Sequence, residues 1–244
     1  MKRKINWWGK TFITLVVLIS IAALSYAIYY YLMLNYDERI SCRVTKDVIQ
    51  MNDLLASMYL VKCDSAYVAI DTGFNPEFVR KGLEYNGINP AQIKLVFLTH
   101  LDEDHISGLG IFKNAKIYFS EIESKRLFSK GINIFPFSSP RISSYTTLAD
   151  GQEVFFGKRK TKAITLPGHT AGSMGYIIDD KYLFSGDAFR IKNGKIAEPF
   201  RKWFTDDIGT ERLTINKVSK LKGIQYILSA HSGFTADFSF AVHN

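Results

Sequence analysis

From Thr11 to Leu34 the chain carries no charged residue for 24 positions. In water such a stretch has no polar face to offer solvent. As a helix it would be about 36 Å long, enough to cross a hydrocarbon core of about 30 Å with some tilt. Trp7 and Trp8 stand at one end and Tyr29, Tyr30 and Tyr31 at the other, the positions at which aromatic rings meet a membrane interface. Lys2, Arg3, Lys4 and Lys10 precede the run. Positive charge on that side predicts a cytoplasmic N-terminus and an extracytoplasmic remainder. The expectation is a single-pass signal anchor in the cell membrane. It comprises a basic cytoplasmic tail over 1–10, a transmembrane helix over 11–34, a juxtamembrane linker over 35–47 and a globular domain over 48–244. A cleaved signal peptide is the competing reading, because Ser25-Tyr26-Ala27 loosely resembles a cleavage site. The apolar run exceeds the usual h-region of about 7–15 residues.

The formal net charge is +8. Four of those charges belong to the N-terminal tail, so the excess does not imply nucleic-acid binding, and none is expected. The cluster Lys158-Arg159-Lys160-Thr161-Lys162 reads as a solvated strand or turn. Cys42 and Cys63 could pair in an oxidising compartment. Neither has the neighbours of a catalytic nucleophile.

Beyond Asp37 the patterns become those of a mixed α/β domain. Met58–Val61 and Ala66–Ile70 read as strands joined by a turn, and Asp71-Thr72-Gly73 follows at once. Pro76–Tyr85 has helical spacing and Gly87 as its stop. Ile93–Leu98 is almost continuously apolar, as a strand buried on both faces should be. Further strands are predicted at Lys116–Phe119, Glu153–Phe156, Lys162–Leu166, Met174–Ile178, Tyr182–Phe184 and Ile224–Leu228, with a helix over Thr210–Leu221. Two groups of strands, each followed by helices, suit two packed sheets with helices outside. The stretch 135–144, rich in serine and proline, is expected to be a mobile loop.

Four of the five histidines follow predicted strands: His100 and His105 in Thr99-His100-Leu101-Asp102-Glu103-Asp104-His105, His169 after Gly168, and His231 after Ala230. Asp187, after Gly186, has the same setting. The fifth, His243, reads as a tail residue. Imidazoles and carboxylates are ligands of zinc, iron and manganese, and loops at strand ends are where rigid scaffolds place them. His100 and Asp102 alternate by two and so share a side on extended chain. Asp104 and His105 follow where the chain turns and can face a second ion. Gly108 and Gly110 are expected to permit a tight exit.

From Val48 to Gly233 the chain resembles the metallo-β-lactamase superfamily, whose signature is H-x-H-x-D-H, then a His after a glycine, an Asp, and a late His. His100, Asp104, His105, Gly168-His169, Gly186-Asp187 and His231 match in order, and Asp71-Thr72-Gly73 matches the early acidic turn. The resemblance implies a four-layer αββα sandwich with metals at one edge of the sheets. It further implies one site of His100, Asp102 and His169, a second of Asp104, His105 and His231, Asp187 bridging them, and Asp71 supporting the site without binding metal. The second signature histidine is Asp102 here. A carboxylate makes that site harder and more anionic, shifting preference from zinc toward iron or manganese.

The expected cofactors are therefore two divalent metal ions, zinc first, with iron or manganese as alternatives. The expected activity is metal-dependent hydrolysis. A bridging hydroxide would attack an ester, lactone, thioester, amide or phosphodiester in a small-molecule substrate. Asp104 would orient the nucleophile or help proton transfer to the leaving group, and Asp71 would fix a histidine tautomer. Two other classes stay open. A diiron redox or oxygen-handling protein is suggested by Asp102 but would need a flavin domain, for which 244 residues leave no room. A non-catalytic, membrane-tethered binding protein would be expected to have lost ligands.

Overall fold

The computed structural model describes residues 7–34, 41–53, 55–127, 142–197 and 205–242. The expected mobile loop over 135–144 falls mostly outside them, and so does His243. The chain divides into two compact units, Met1–Asp37 and Glu38–Asn244.

The first unit is one helix, α1 (Trp7–Leu34). Over Trp7–Tyr31, 25 residues, it is long and apolar enough to cross a membrane, a property that signal sequences share. The Thr11 and Thr14 hydroxyls donate back to the carbonyls of Trp7 and Lys10 at 3.1 and 3.0 Å. Polar side chains thus find partners within the helix, as a lipid environment requires.

The second unit holds two large sheets. Seven strands form the first in sequence order: β1 (Ser41–Arg43), β2 (Val48–Asn52), β3 (Ser57–Cys63), β4 (Ala66–Ile70), β5 (Ile93–Phe97), β6 (Lys116–Ser120) and β7 (Thr146–Leu148). Helix α2 (Pro76–Tyr85) connects β4 to β5, while α3 (Glu103–Ile106) and α4 (Glu121–Arg126) flank β6. The second sheet contains β8 (Glu153–Phe156), β9 (Arg159–Thr165), β10 (Met174–Ile178) and β11 (Tyr182–Gly186). After the small hairpin of β12 (Arg190–Lys192) and β13 (Lys195–Ala197) and helix α5 (Ile208–Ser219), it is completed by β14 (Tyr226–Ser229) and β15 (Gly233–Thr235). Its order is β15-β14-β11-β10-β9-β8. Helix α6 (Phe238–Val242) closes the described chain.

Alternating side chains divide the interior into three apolar layers. Along β5, Leu95 and Phe97 join Val61, Ile70, Tyr176, Phe184 and Leu228 between the sheets. Val96 and the following Leu98 face the other way, against Val79 and Leu83 of α2. In the second sheet Ile164, Ile177, Leu183 and Ile227 turn outward to Val218 of α5 and to Phe238. Strands buried on both faces need unbroken apolar runs. Three cores between four layers make the αββα sandwich expected from the sequence.

The linker expected over 35–47 ends early. Ser41–Arg43 pairs antiparallel with β2 and forms the edge of the first sheet. Three residues are too few to show a period of two. The same brevity hid β7, β12, β13 and β15. Cys42 and Cys63 are both free thiols. Cys42 aligns through Gln50 with Tyr59, and Cys63 lies four residues farther along β3. That offset is about 13 Å, well beyond disulfide reach. The basic cluster 158–162 is only partly solvated: Lys158 pairs with Asp64 and Lys160 with Asp180 at the surface, whereas Arg159 is buried between Asp47 and Asp179.

The sheets are joined at one edge by hydrogen bonds between them. The Met174 amide donates to the Thr99 carbonyl at 2.8 Å and the Ser57 amide to Ala230 at 2.7 Å. The Tyr59 hydroxyl donates to Ser229 at 2.6 Å, and the Tyr176 hydroxyl to Leu98 at 2.7 Å. Tyr176 is fully buried, so Tyr176→Phe leaves the Leu98 carbonyl without its donor. The expected cost is about 1–3 kcal/mol, read as a lower melting temperature of the detergent-solubilised protein.

Candidate metal centre

The joined edge is where parallel strands deliver their C-terminal ends. β4 ends into Asp71, β5 into Thr99 and His100, β11 into Asp187, and β14 leads to His231. The turn after β9 carries His169. Two glycines permit the close approach. A Cβ on Gly108 would lie 2.1 Å from the Thr72 carbonyl oxygen, and one on Gly186, at φ +53°, would collide with Thr99. Gly110, also expected to be needed for the exit, has open space around it and no such constraint.

All seven residues singled out in the sequence converge there. One group is His100, Asp102 and His169; another is Asp104, His105 and His231; a third links His100 and His105 with Asp187. Within each group the donor atoms lie within 4.8 Å of one another. Asp102 Oδ2 stands 3.5 Å from His100 Nε2 and 3.3 Å from His169 Nε2. Asp104 Oδ2 stands 3.2 Å from His231 Nε2 and 3.7 Å from His105 Nε2. Asp187 reaches both sides: its Oδ2 is 3.0 Å from His231 Nε2 and 3.6 Å from His169 Nε2, and its Oδ1 is 3.5 Å from His105 Nε2.

The surroundings select the tautomers. The His105 Nδ1–H donates to Asp71 Oδ2 at 2.9 Å. The His231 Nδ1–H donates to the Leu55 carbonyl at 2.6 Å. The Thr99 hydroxyl gives its one proton to Asp71 at 2.9 Å and so accepts from His100 Nδ1 at 3.0 Å. Each of these rings therefore turns its Nε2 inward, as metal-ligating histidines held by carboxylates or carbonyls do. Asp71, buried at the strand end with φ +57°, thereby steers His105 directly and His100 through Thr99. Thr99 had not been singled out in the sequence.

The metallo-beta-lactamase superfamily model matches residues 51–226. The chain belongs to that superfamily. A probable metallo-hydrolase of Methanocaldococcus jannaschii is 30% identical over 154 residues, 63% of this chain and 64% of the relative. A hydroxyacylglutathione hydrolase of Vibrio cholerae is 27% identical over 162 residues, 66% of this chain and 56% of the relative. The chain thus spans somewhat over half the length of these curated relatives. Among solved structures, a subclass B3 metallo-beta-lactamase of Bradyrhizobium japonicum superimposes with a TM-score of 0.65 at 19% identity, covering 79% of this chain and 77% of that one. That likeness concerns the fold.

Superfamily members bind divalent metal ions, commonly zinc, and the residues present suit such ions. Among the described residues, His105 Nε2 and Asp187 Oδ1 are buried polar atoms with no hydrogen-bond partner, and both face the cluster. Buried polar atoms seldom lack partners without reason. A cation between them supplies one.

Electrostatics point the same way. Burial works against the charge on His105, yet Asp187, Asp104 and Asp71 together raise its pKa well above the ordinary value. Burial likewise opposes charge on His231, and Asp104 and Asp187 override it, raising the pKa to about 10. Burial would raise Asp187, but His105 and His231 hold it well below the carboxylate range. Asp104, against its burial, is held at about 2 by His105 and His231. Protons on the imidazoles thus occupy the role of the cations. Between about 6.5, the unfolded value, and about 10, folded metal-free protein binds more protons than unfolded protein. Its stability must then fall as pH rises across that window. Chelator-treated protein is expected to melt progressively lower from pH 7 to pH 10. With metal present the sign reverses, because protons and metal compete for the same nitrogens.

Proposed function

We propose that this chain is a binuclear metal-dependent hydrolase of small molecules, with His100, Asp102 and His169 holding one ion, Asp104, His105 and His231 the other, and Asp187 shared. The observation that carries the reading is the reach of Asp187 into both halves, within 3.6 Å of His169 on one side and 3.0 Å of His231 on the other. Four imidazoles beside three carboxylates suit zinc, with iron or manganese as alternatives.

Divalent ions held by these residues would supply Lewis acidity and would activate a bound water near neutral pH. The chain's own residues do the rest. Asp104, partly exposed and ionised at working pH, accepts a hydrogen bond from the attacking water and orients it. Asp71 keeps the His105 ring fixed through Nδ1, so that Nε2 is the nitrogen directed at the centre. The buried setting of His100, His105 and Asp187 excludes solvent behind the reacting group and strengthens the charge interactions there. The substrate is a molecule with a hydrolysable acyl or phosphoryl linkage: an ester, lactone, thioester, amide or phosphodiester. Fold does not choose among these.

Metal analysis of the detergent-solubilised full chain is expected to give two ions per chain. His105→Ala or Asp187→Ala should lower metal content and reduce hydrolysis at least about a hundredfold, exceeding the loss typical of outer-shell changes, with the far-ultraviolet circular dichroism retained. Full turnover by His105→Ala would refute the assignment.

The same reading places α1 in the membrane as an uncleaved anchor, its basic flank cytoplasmic and the hydrolase domain outside. Alkaline extraction of membranes should then leave the full-length chain in the pellet, with its domain open to externally added protease. A soluble chain beginning near residue 28 would show a cleaved signal sequence instead.

A further inference from the structure

The superfamily signature has an imidazole where this chain has Asp102, and a carboxylate differs from an imidazole in two ways. It has two donor oxygens, so it can chelate, and it carries a negative charge. Both differences are met by one residue from another element. The Arg126 guanidinium, at the end of α4, holds Asp102 Oδ1 at 3.1 Å. Only Oδ2 remains directed at His100 and His169.

Arg126 is itself secured from behind. Its other terminal nitrogen donates to both oxygens of Glu123, at 3.2 and 3.0 Å. Glu123 is fully buried. It also accepts from the Leu101 amide at 3.1 Å and from the Thr170 hydroxyl at 2.6 Å. Leu101 lies between His100 and Asp102, and Thr170 follows His169, so Glu123 ties together the two loops that carry this half of the site. The contact is close because residue 172 is glycine. A Cβ there would lie 2.7 Å from the Glu123 amide. The guanidinium fork suits this task, since it can bind two carboxylates at fixed geometry where an ammonium cannot.

We propose that Arg126, braced by Glu123, makes Asp102 a one-point ligand standing in for an imidazole, and so is a positioning residue for the ion held by His100, Asp102 and His169. The inference rests on the two-metal reading. It also reverses one expectation drawn from the sequence: the clamp offsets the harder, more anionic character of Asp102 and returns this half of the centre toward zinc.

The test uses detergent-solubilised full chain, zinc and manganese as probes, and chelator competition to measure affinity at the weaker and tighter sites. Arg126→Met should weaken zinc at the site containing Asp102 by about 10–100-fold, the loss expected for an outer-shell partner. The zinc-to-manganese affinity ratio should fall with it, as Asp102 gains its second oxygen. In an Asp102→His background the guanidinium keeps Glu123 but has no carboxylate at position 102 to hold, so Arg126→Met should then cost no zinc affinity. A purely structural arginine would cost the same in both backgrounds, and that result, or no loss in the wild-type background, overturns the proposal. Should Arg126→Met fail to fold, Arg126→Lys serves. It keeps the charge beside Glu123 but cannot span both carboxylates, so a smaller loss of the same kind is expected, again absent with Asp102→His. Fewer than two ions in the wild type would instead remove the two-metal reading beneath it, whereas an unchanged count and affinity in Asp102→Ala would remove Asp102 as a ligand and overturn the proposal.

Discussion

Three carboxylates and four imidazoles meet at one end of the sheets, with His100, His105 and Asp187 buried and Asp102 and Asp104 partly exposed, and that crowding governs the edge of the sandwich. Buried ionised groups are tolerated only when paired. Here the pairing is collective: Asp187 and Asp104 are kept charged by His105 and His231, and those histidines by the carboxylates. Such a cluster is costly as a purely structural device, because apolar residues would stabilise the same edge as well or better. Its retention alongside Asp71, which fixes ring orientation without facing the centre, is what one expects of a cation site.

The scaffold meets this demand by dividing labour. Continuous apolar strands supply three cores and the rigidity of the sandwich, and their C-terminal ends supply the polar groups. The inter-sheet hydrogen bonds through Thr99, Tyr59 and Tyr176 lie immediately behind the ligand loops. The same contacts that close the sandwich therefore position the donors.

Much of this was legible in the sequence where the signal is local. Ile93–Leu98 announced a doubly buried strand because every side chain on it needs an apolar neighbour. The seven donors were legible because each lies in a short segment after a strand, though Asp104 and His105 turn out to sit in the one-turn helix α3. What escaped depends on neighbours far away in the chain. β1 has three residues, too few for a pattern, and in sequence is indistinguishable from linker. Glu123 and Arg126 sit on a one-turn helix with an ordinary charged composition, and nothing local marks them as reaching Asp102. Gly108 and Gly110 look alike in sequence, yet only the first abuts a backbone carbonyl. Thr99 could have been found, since a hydroxyl directly before a strand-end histidine is placed to hold its Nδ1.

The donor set draws His100 and His105 from the first sheet and His169, Asp187 and His231 from the second. Neither group of donors is contributed by one sheet alone, since His100 and Asp102 need His169, and Asp104 and His105 need His231. The donor set is complete only where β14, which leads to His231, lies against β11. Each group of donors therefore straddles the seam between the sheets, so any change that lets the two sheets part opens both groups at once.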